Sequence, residues 1–348
     1  MIAGCRKVVT EFGLQAHCGT YGSRFRIERI SDLANYLVTG GAGFIGSHIS
    51  EALVARGHHV RVVDNFATGY QRNLRDGVEF IEGDLANPQI AANVVKGMDY
   101  VLHQAAIPSV PRSVDKPAES HRANIDATLN LLIASRDAGV KRLVFAGSSS
   151  VYGDTAVLPK TETMPTNPLS PYALQKLMGE MYGQMFTRLY GFDAVTTRYF
   201  NVFGPRQDPG SPYSGVISLF IKALHKKTTP IIYGDGEQTR DFTYVTNVVD
   251  GVIRAAETPG AGGHVFNVAT GSRISLNQLL TALNGIFGTN LQPIYKDARA
   301  GDVRDSQADI SKAAKLLGYQ PTVGLEEGLR ETVKWFTEAE LSRLRKTR

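Results

Sequence analysis

The chain has 348 residues, 43% hydrophobic and 20% charged, with a formal net charge of +5; these are ordinary values for a soluble globular protein with one large domain and a smaller lobe. Its two cysteines, Cys5 and Cys18, exclude a disulfide framework and a thiolate zinc site and fit a reducing, cytoplasmic compartment. No apolar run reaches the length of a membrane span, and the basic tail Arg343, Arg345, Lys346 and Arg348 lacks interleaved aromatics, so neither membrane nor nucleic acid is an expected partner.

Residues 1–34 mix Arg6, Lys7, Arg24, Arg26 and Arg29 with Glu11, Glu28 and Asp32. They hold no apolar core, which argues against a secretory signal and predicts a poorly ordered extension. Tyr36–Thr39 is a short apolar run that predicts the first strand and feeds a glycine-rich turn. Ser47–Arg56 predicts a helix, with Ile49, Leu53 and Val54 at helical spacing and Gly57 as its stop. His59–Asp64, Val78–Asp84, Tyr100–Ala106, Arg142–Ala146 and Thr196–Asn201 predict further strands. Strands alternating with helices predict an α/β fold, a Rossmann-type doubly wound parallel sheet. Beyond about residue 205 the runs shorten and Pro205, Pro209 and Pro212 mark a loop. A main nucleotide-binding domain over 35–205 is therefore expected. A smaller α/β substrate lobe is expected over 206–340, with segments returning to the main sheet.

The turn after the first strand reads Gly40-Gly41-Ala42-Gly43-Phe44-Ile45-Gly46. Glycines at 40, 43 and 46 permit a tight turn, a close backbone approach to a pyrophosphate, and helix-on-strand packing. The helix N-terminus then offers free N–H groups to the phosphates. Asp64 closes the second strand, with Asn65 beside it. A carboxylate there would bond the ribose hydroxyls and repel a 2′-phosphate, which favours NAD over NADP. Asp84 and Leu85 end the third strand, where they either flank the adenine or cap a turn.

Tyr172 and Lys176 stand four residues apart on one expected helix face. An ammonium beside a phenol favours the phenolate, so the Tyr172 pKa is expected to fall. A phenol so tuned accepts a proton from an alcohol near neutral pH. Beside a nicotinamide this is hydride chemistry on an alcohol carbon. His103 reads as structural, since a tyrosine base already fills that role. Tyr182, Phe186 and Tyr190 read as core or helix packing.

With these residues named, the chain resembles the extended short-chain dehydrogenase/reductase family. Within it, the chain is most similar to nucleotide-sugar 4-epimerases acting on UDP-N-acetylhexosamines. The resemblance runs from about Tyr36 to about Phe336. It rests on the glycine turn, His103-Gln104-Ala105-Ala106, Ser148–Gly153, Ser170-Pro171-Tyr172 with Lys176, Arg198–Pro205, Gly234–Gly236 with Arg240–Phe242, and Gly301–Arg304 before Ser306. It implies that Tyr172 is the catalytic base and acid. Lys176 would tune Tyr172 and bind the nicotinamide ribose, and Ser148 would relay the hydroxyl proton. Ser149 and Ser150 would line the sugar pocket, and Asn201 would hold the diphosphate. Arg240 and Arg299 would clamp it, with Asp302 near that end. Ala105, Ala106, Asn124 and Tyr199 would sit by the cofactor. NAD would be tightly held and regenerated in each turnover. The substrate would be a UDP-sugar and the protein a homodimer.

The related dehydratases carry an Asp-Glu pair where this chain has Ser149 and Ser150, and related decarboxylases place a glutamate nearby. Neither acid is present, which leaves reversible oxidation at C4. Ser306 stands where the family guards the sugar C2 substituent; a small residue there implies room for an acetamido group. UDP-GlcNAc and UDP-GalNAc, or their uronic acids, are the expected substrates. Ser109 and Arg112 lie on the loop after strand four, within reach of the sugar, and Arg112 is either a partner for a C6 carboxylate or structural. The alternatives are another nucleotide-sugar oxidoreductase, a decarboxylase or reductase, and a non-catalytic NAD-binding regulatory protein.

Overall fold

Leu37-Val38, Val60, Val62-Val63, Val101-Leu102 and Leu143–Phe145 are all buried. Runs buried on both faces are what a parallel sheet covered by helices demands. The computed structural model describes residues 33–208, 215–298 and 303–346. Most of the expected N-terminal extension, and Arg299 and Asp302, lie outside them.

The first half runs β1 (Asn35–Thr39), α1 (Phe44–Ala55), β2 (His59–Asp64), β3 (Val78–Glu82), α2 (Pro88–Val94) and β4 (Tyr100–His103). Then come α3 (Val110–Asp115), α4 (Pro117–His121), α5 (Ala127–Asp137), β5 (Arg142–Ser148), α6 (Pro171–Tyr190) and β6 (Ala194–Tyr199). The second half runs β7 (Val202–Phe203), α7 (Val216–His225), β8 (Ile231–Tyr233), β9 (Thr239–Arg240), β10 (Thr243–Tyr244) and α8 (Val245–Glu257). It ends with β11 (Val265–Val268), β12 (Ile274–Ser275), α9 (Leu276–Phe287), β13 (Ile294–Lys296), α10 (Ser311–Leu317) and α11 (Leu325–Lys346).

The main sheet has seven strands in the order β11-β6-β5-β4-β1-β2-β3, and every neighbouring pair is parallel. This is the doubly wound Rossmann-type sheet. The order reverses between β1 and β4, the place where such sheets open a crevice beyond their carboxyl ends. A second core joins Phe203, Phe220, Ile221 and Leu224 to Leu279, Leu283, Leu329 and Phe336. It lies among α7, α9 and α11, apart from the core under α2 and α5.

Several boundaries differ from the sequence reading for local reasons. Helix α1 begins at Phe44 rather than Ser47, because the glycine turn runs straight into the first helical turn. Strand β4 stops at His103 rather than Ala106. The Gln104 and Ala105 amides donate to Thr39 Oγ1 at 3.1 Å each, so the chain leaves the ladder there. Strand β3 ends at Glu82, and the Asp84 carboxylate caps the following turn at the Ala86 amide. Strand β5 runs on to Ser148, paired opposite Tyr199. Strand β6 ends at Tyr199, because Asn201 takes a φ of 32° that a strand cannot continue.

Candidate active site

The carboxyl ends of β1, β2, β4, β5 and β6 open on one cavity of about 1240 Å³. Its floor begins at the glycine turn. A Cβ on Gly40 would come within 2.8 Å of the Ala105 backbone, and one on Gly46 within 2.3 Å of the Gly40 carbonyl oxygen. Only glycine fits these places. Gly43 precedes helix α1 as an N-cap without a side chain, which leaves the helix's first N–H groups for an anion. This cradle fits a dinucleotide pyrophosphate. Phe44 and Ile45 line it, and so do Ala105 and Ala106 from the β4 end.

Asp64 and Asn65 line the same cavity. Asp64 is held by the Ala42 amide at 3.0 Å and the Phe66 amide at 2.8 Å. Each oxygen keeps a lone pair for a ribose hydroxyl. Burial pushes its carboxyl above the usual range, and the backbone donors oppose that. Asp84 and Leu85 also line the cavity. Asp84 caps its own turn and pairs with Arg122 at 2.9 Å.

Helix α6 is fixed at its start by Ser170, whose hydroxyl accepts from the Ala173 amide, and by Pro171 in the first turn. The Tyr172 amide also donates to the Ser113 hydroxyl oxygen at 3.0 Å. Tyr172 and Lys176 both face the cavity. Ser148 lies close enough to the Tyr172 phenol to favour its ionised form. Ser148 also accepts from the Ser150 hydroxyl at 2.9 Å and the Ser150 amide at 3.2 Å. Ser149 lines the wall beside them.

The electrostatics differ from the expectation for the pair. Burial pushes Tyr172 up to about 12, against a lowering by Ser148. Burial pulls Lys176 down to about 8. The protein alone therefore does not depress the phenol; desolvation outweighs the lowering by Ser148. His103 is buried, with its ring nitrogens against Thr39 Oγ1 at 2.7 Å and Thr128 Oγ1 at 2.9 Å. Burial, with Lys176 nearby, lowers it to about 3. It is a neutral structural side chain.

The cavity is further lined by Tyr199, Asn201, Arg240 and Ser306. The Tyr199 hydroxyl donates to Gln104 Oε1 at 2.9 Å. Asn201 Nδ2 donates to the Asp241 carbonyl oxygen at 3.3 Å. The Arg240 guanidinium reaches the Thr239 and Arg304 carbonyl oxygens. Asp241 binds the Thr270, Gly271 and Ala308 amides, and Asp235 pairs with Arg304. Ser306 is buried, its amide on the Thr239 carbonyl oxygen at 3.1 Å.

Asn124 does not line the cavity. It lies beneath it, accepting from the Ile107 amide at 2.8 Å and donating to Gln175 at 2.8 Å. It ties the loop after β4 to α6, next to Lys176. Arg112 and Ser109 do line the cavity. Arg112, however, is engaged in an ion pair with Glu119, and the Ser109 hydroxyl accepts from the Arg112 amide at the start of α3.

The structure adds residues that the sequence did not single out. Tyr70 donates to Asp208 at 2.6 Å, and both line the cavity. Lys160 lines it as well, though nearly fully buried. No local pattern marks them; only the fold brings them to the wall. No group of three or more His, Cys, Asp and Glu residues that could hold a metal ion occurs among the described residues. No helix among them is long and apolar enough to cross a membrane.

A model of the NAD dependent epimerase/dehydratase family matches residues 36–269. The UDP-glucose 4-epimerase of Mycolicibacterium smegmatis is 41% identical over 307 residues, which cover 86% of this chain and 97% of that protein. The structure of Thermotoga maritima UDP-glucose 4-epimerase with UDP-glucose matches at a TM-score of 0.85 and 40% identity, covering 88% of this chain and 99% of that one. The UDP-N-acetylglucosamine 4-epimerase of Methanobrevibacter ruminantium, in complex with UDP-N-acetylmuramic acid, matches at 0.85 and 42%, with the same coverage. The chain belongs to the NAD dependent epimerase/dehydratase family of extended short-chain dehydrogenase/reductases, on the side of its UDP-sugar 4-epimerases, and NAD is its cofactor.

Proposed function

We propose that the protein interconverts the C4 epimers UDP-GlcNAc and UDP-GalNAc. The observation that carries this reading is Ser306, a small buried residue on the cavity wall. A tyrosine there would fill most of an aromatic ring's volume beside the sugar; serine leaves that volume for an acetamido group. Arg112, the candidate partner for a C6 carboxylate, is already paired with Glu119. That supports the neutral hexosamines over their uronic acids.

In the proposed mechanism Tyr172 takes the C4 hydroxyl proton, with Ser148 as the relay between phenol and sugar. NAD, when bound, supplies the acceptance of a hydride from C4 and its return to the other face. Lys176 would hold the nicotinamide ribose, and Tyr172 returns the proton to the 4-keto sugar after it rotates. Ser149 and Ser150 carry no acid for elimination or decarboxylation, so the oxidation is simply reversed. Asn201 and Arg240 hold the diphosphate while the sugar turns. Asp64 receives the adenosine ribose.

A homodimer goes with this reading. Leu174, Met181, Met185 and Leu189 form an exposed apolar stripe along one face of α6, and Ile133 on α5 is exposed too. A second copy pairing these helices would cover it; light scattering that reports a monomer would oppose that. The function itself is tested by giving purified protein UDP-glucose, UDP-GlcNAc and UDP-GlcNAc uronate separately and resolving the products. Epimerisation of UDP-GlcNAc without build-up of reduced nicotinamide is the expected result. Turnover of UDP-glucose with UDP-GlcNAc left untouched would refute the substrate assignment.

A further inference from the structure

The wall between Gly153 and Ser306 carries a cation that the mechanism above does not use. Lys160 is 1% exposed. Its ammonium donates to the Gly153 carbonyl oxygen at 3.1 Å, its one side-chain hydrogen bond among the described residues. An ammonium has three donors, and leaving them unmet in a buried place is costly. The cavity is where the remaining donors find a partner, since Lys160 lines it.

The position is rigid. The Lys160 amide donates to the Gln307 carbonyl oxygen at 2.7 Å, and its own carbonyl oxygen accepts from the Asp309 amide at 2.9 Å and from Asn267 Nδ2 at 2.9 Å. The residue is thus stitched to the extended segment 307–309 immediately after Ser306. On its other side Gly153 ends the turn that begins at Ser148. Lys160 therefore joins the sugar end of the cavity to the wall expected to receive the C2 substituent.

We propose that Lys160 is a specificity-determining residue whose ammonium donates to the carbonyl oxygen of a C2 acetamido group seated beside Ser306. The proposal rests on the hexosamine reading above and names a donor for it. A neutral carbonyl suits the place better than a further anion. Asp154 and Asp305 already act on the Lys160 charge in the direction that keeps it, against the lowering by burial and by Arg240. A sugar with a bare C2 hydroxyl offers a shorter, weaker acceptor there.

The test compares wild type with Lys160→Met, a substitution of similar volume, in the full chain. For UDP-GlcNAc, kcat/KM falls by about 10- to 100-fold, mainly through KM, since a charged hydrogen bond is lost. For UDP-glucose it falls much less, so the ratio of the two shifts by about tenfold or more. An equal loss on both substrates, no loss, or a loss confined to UDP-GlcNAc uronate overturns the proposal. Wild type that ignores UDP-GlcNAc overturns the Ser306 reading and this one together; wild type that uses it while the variant keeps the same ratio overturns this one alone. Wild type also gives an answer independent of the variant's folding. It should bind UDP-glucosamine, whose C2 ammonium opposes Lys160, at least about tenfold more weakly than UDP-GlcNAc; equal binding would count against the assignment.

Discussion

Lys176 Nζ donates to the Ala146 carbonyl oxygen across 2.7 Å, and this holds the ammonium 6.0 Å from the centroid of the Tyr172 ring. The lysine is thus anchored to β5 and does not pair directly with the phenol. In the protein alone burial holds the phenol above its ordinary range. The positive charge of oxidised nicotinamide acts in the opposite direction.

The pH dependence follows from that balance. A base held above its ordinary range is mostly protonated at neutral pH, and its phenolate fraction grows about tenfold per unit as pH rises towards its pKa. The single-turnover oxidation of substrate should therefore rise between about pH 6 and pH 9. Lys176→Met should move this limb to higher pH. A flat profile in stopped-flow measurements would rule out Tyr172 as the titrating base.

Tyr172→Phe removes the proton acceptor and leaves the ring's packing. Turnover should drop by at least about 100-fold, while the NAD released from denatured protein stays at the wild-type ratio. Retained turnover would transfer the base to another residue.

Ser306→Tyr refills the space beside the sugar. Activity on UDP-GlcNAc should be lost selectively, with UDP-glucose still converted. A parallel decline on both would mean that the position supports the loop rather than the sugar.

Gly46→Ala places a Cβ 2.3 Å from the Gly40 carbonyl oxygen and 2.9 Å from the Gly41 Cα. The turn has to shift, at about 1–3 kcal/mol. The melting temperature should fall by about 3 °C or more, and the NAD content of the purified protein should fall with it. Unchanged NAD content would show that the turn tolerates the movement.

His103 sets part of the acid stability. Its folded pKa of about 3 lies below its ordinary 6.5, so between those values the unfolded chain binds more protons. Its contribution is fully present above pH 6.5 and is lost as pH falls, by about 2 kcal/mol at pH 5. Urea titrations of wild type and His103→Gln should show a shallower loss between pH 7 and pH 5 in the variant. His48, lowered by burial to about 4, keeps some slope in both.

The residues that were legible in the sequence are those whose chemistry is local. The glycine turn, Asp64 and the Tyr172–Lys176 spacing each need only a strand or helix to acquire meaning. The first six strands of the main sheet were equally readable as short apolar runs, most of them buried on both faces and β3 only half-buried. Beyond Tyr199 the strands shrink to two to four residues, too short for periodicity to register. The hydrogen bonds of Asn124 to Ile107 and Gln175 were not legible, because nothing in its sequence neighbourhood brings those residues together. Lys160 was missed for the same reason: a lysine after Leu158-Pro159 looks like surface until residues 307–309 cover it. The Tyr172 pKa was misjudged because helical spacing gives proximity but not burial.

Strand β11 covers the outer edge of β6, yet it is the last of the main sheet's seven strands to be made. During synthesis β6 emerges with its outer edge open, and its Thr196–Tyr199 backbone pairs only once Val265–Val268 has left the ribosome. Until then that edge is a template for any other strand. The nascent chain passes through an interval in which two copies could exchange β11. A truncation ending between Pro205 and His264 would keep that edge open permanently and should be recovered in aggregates.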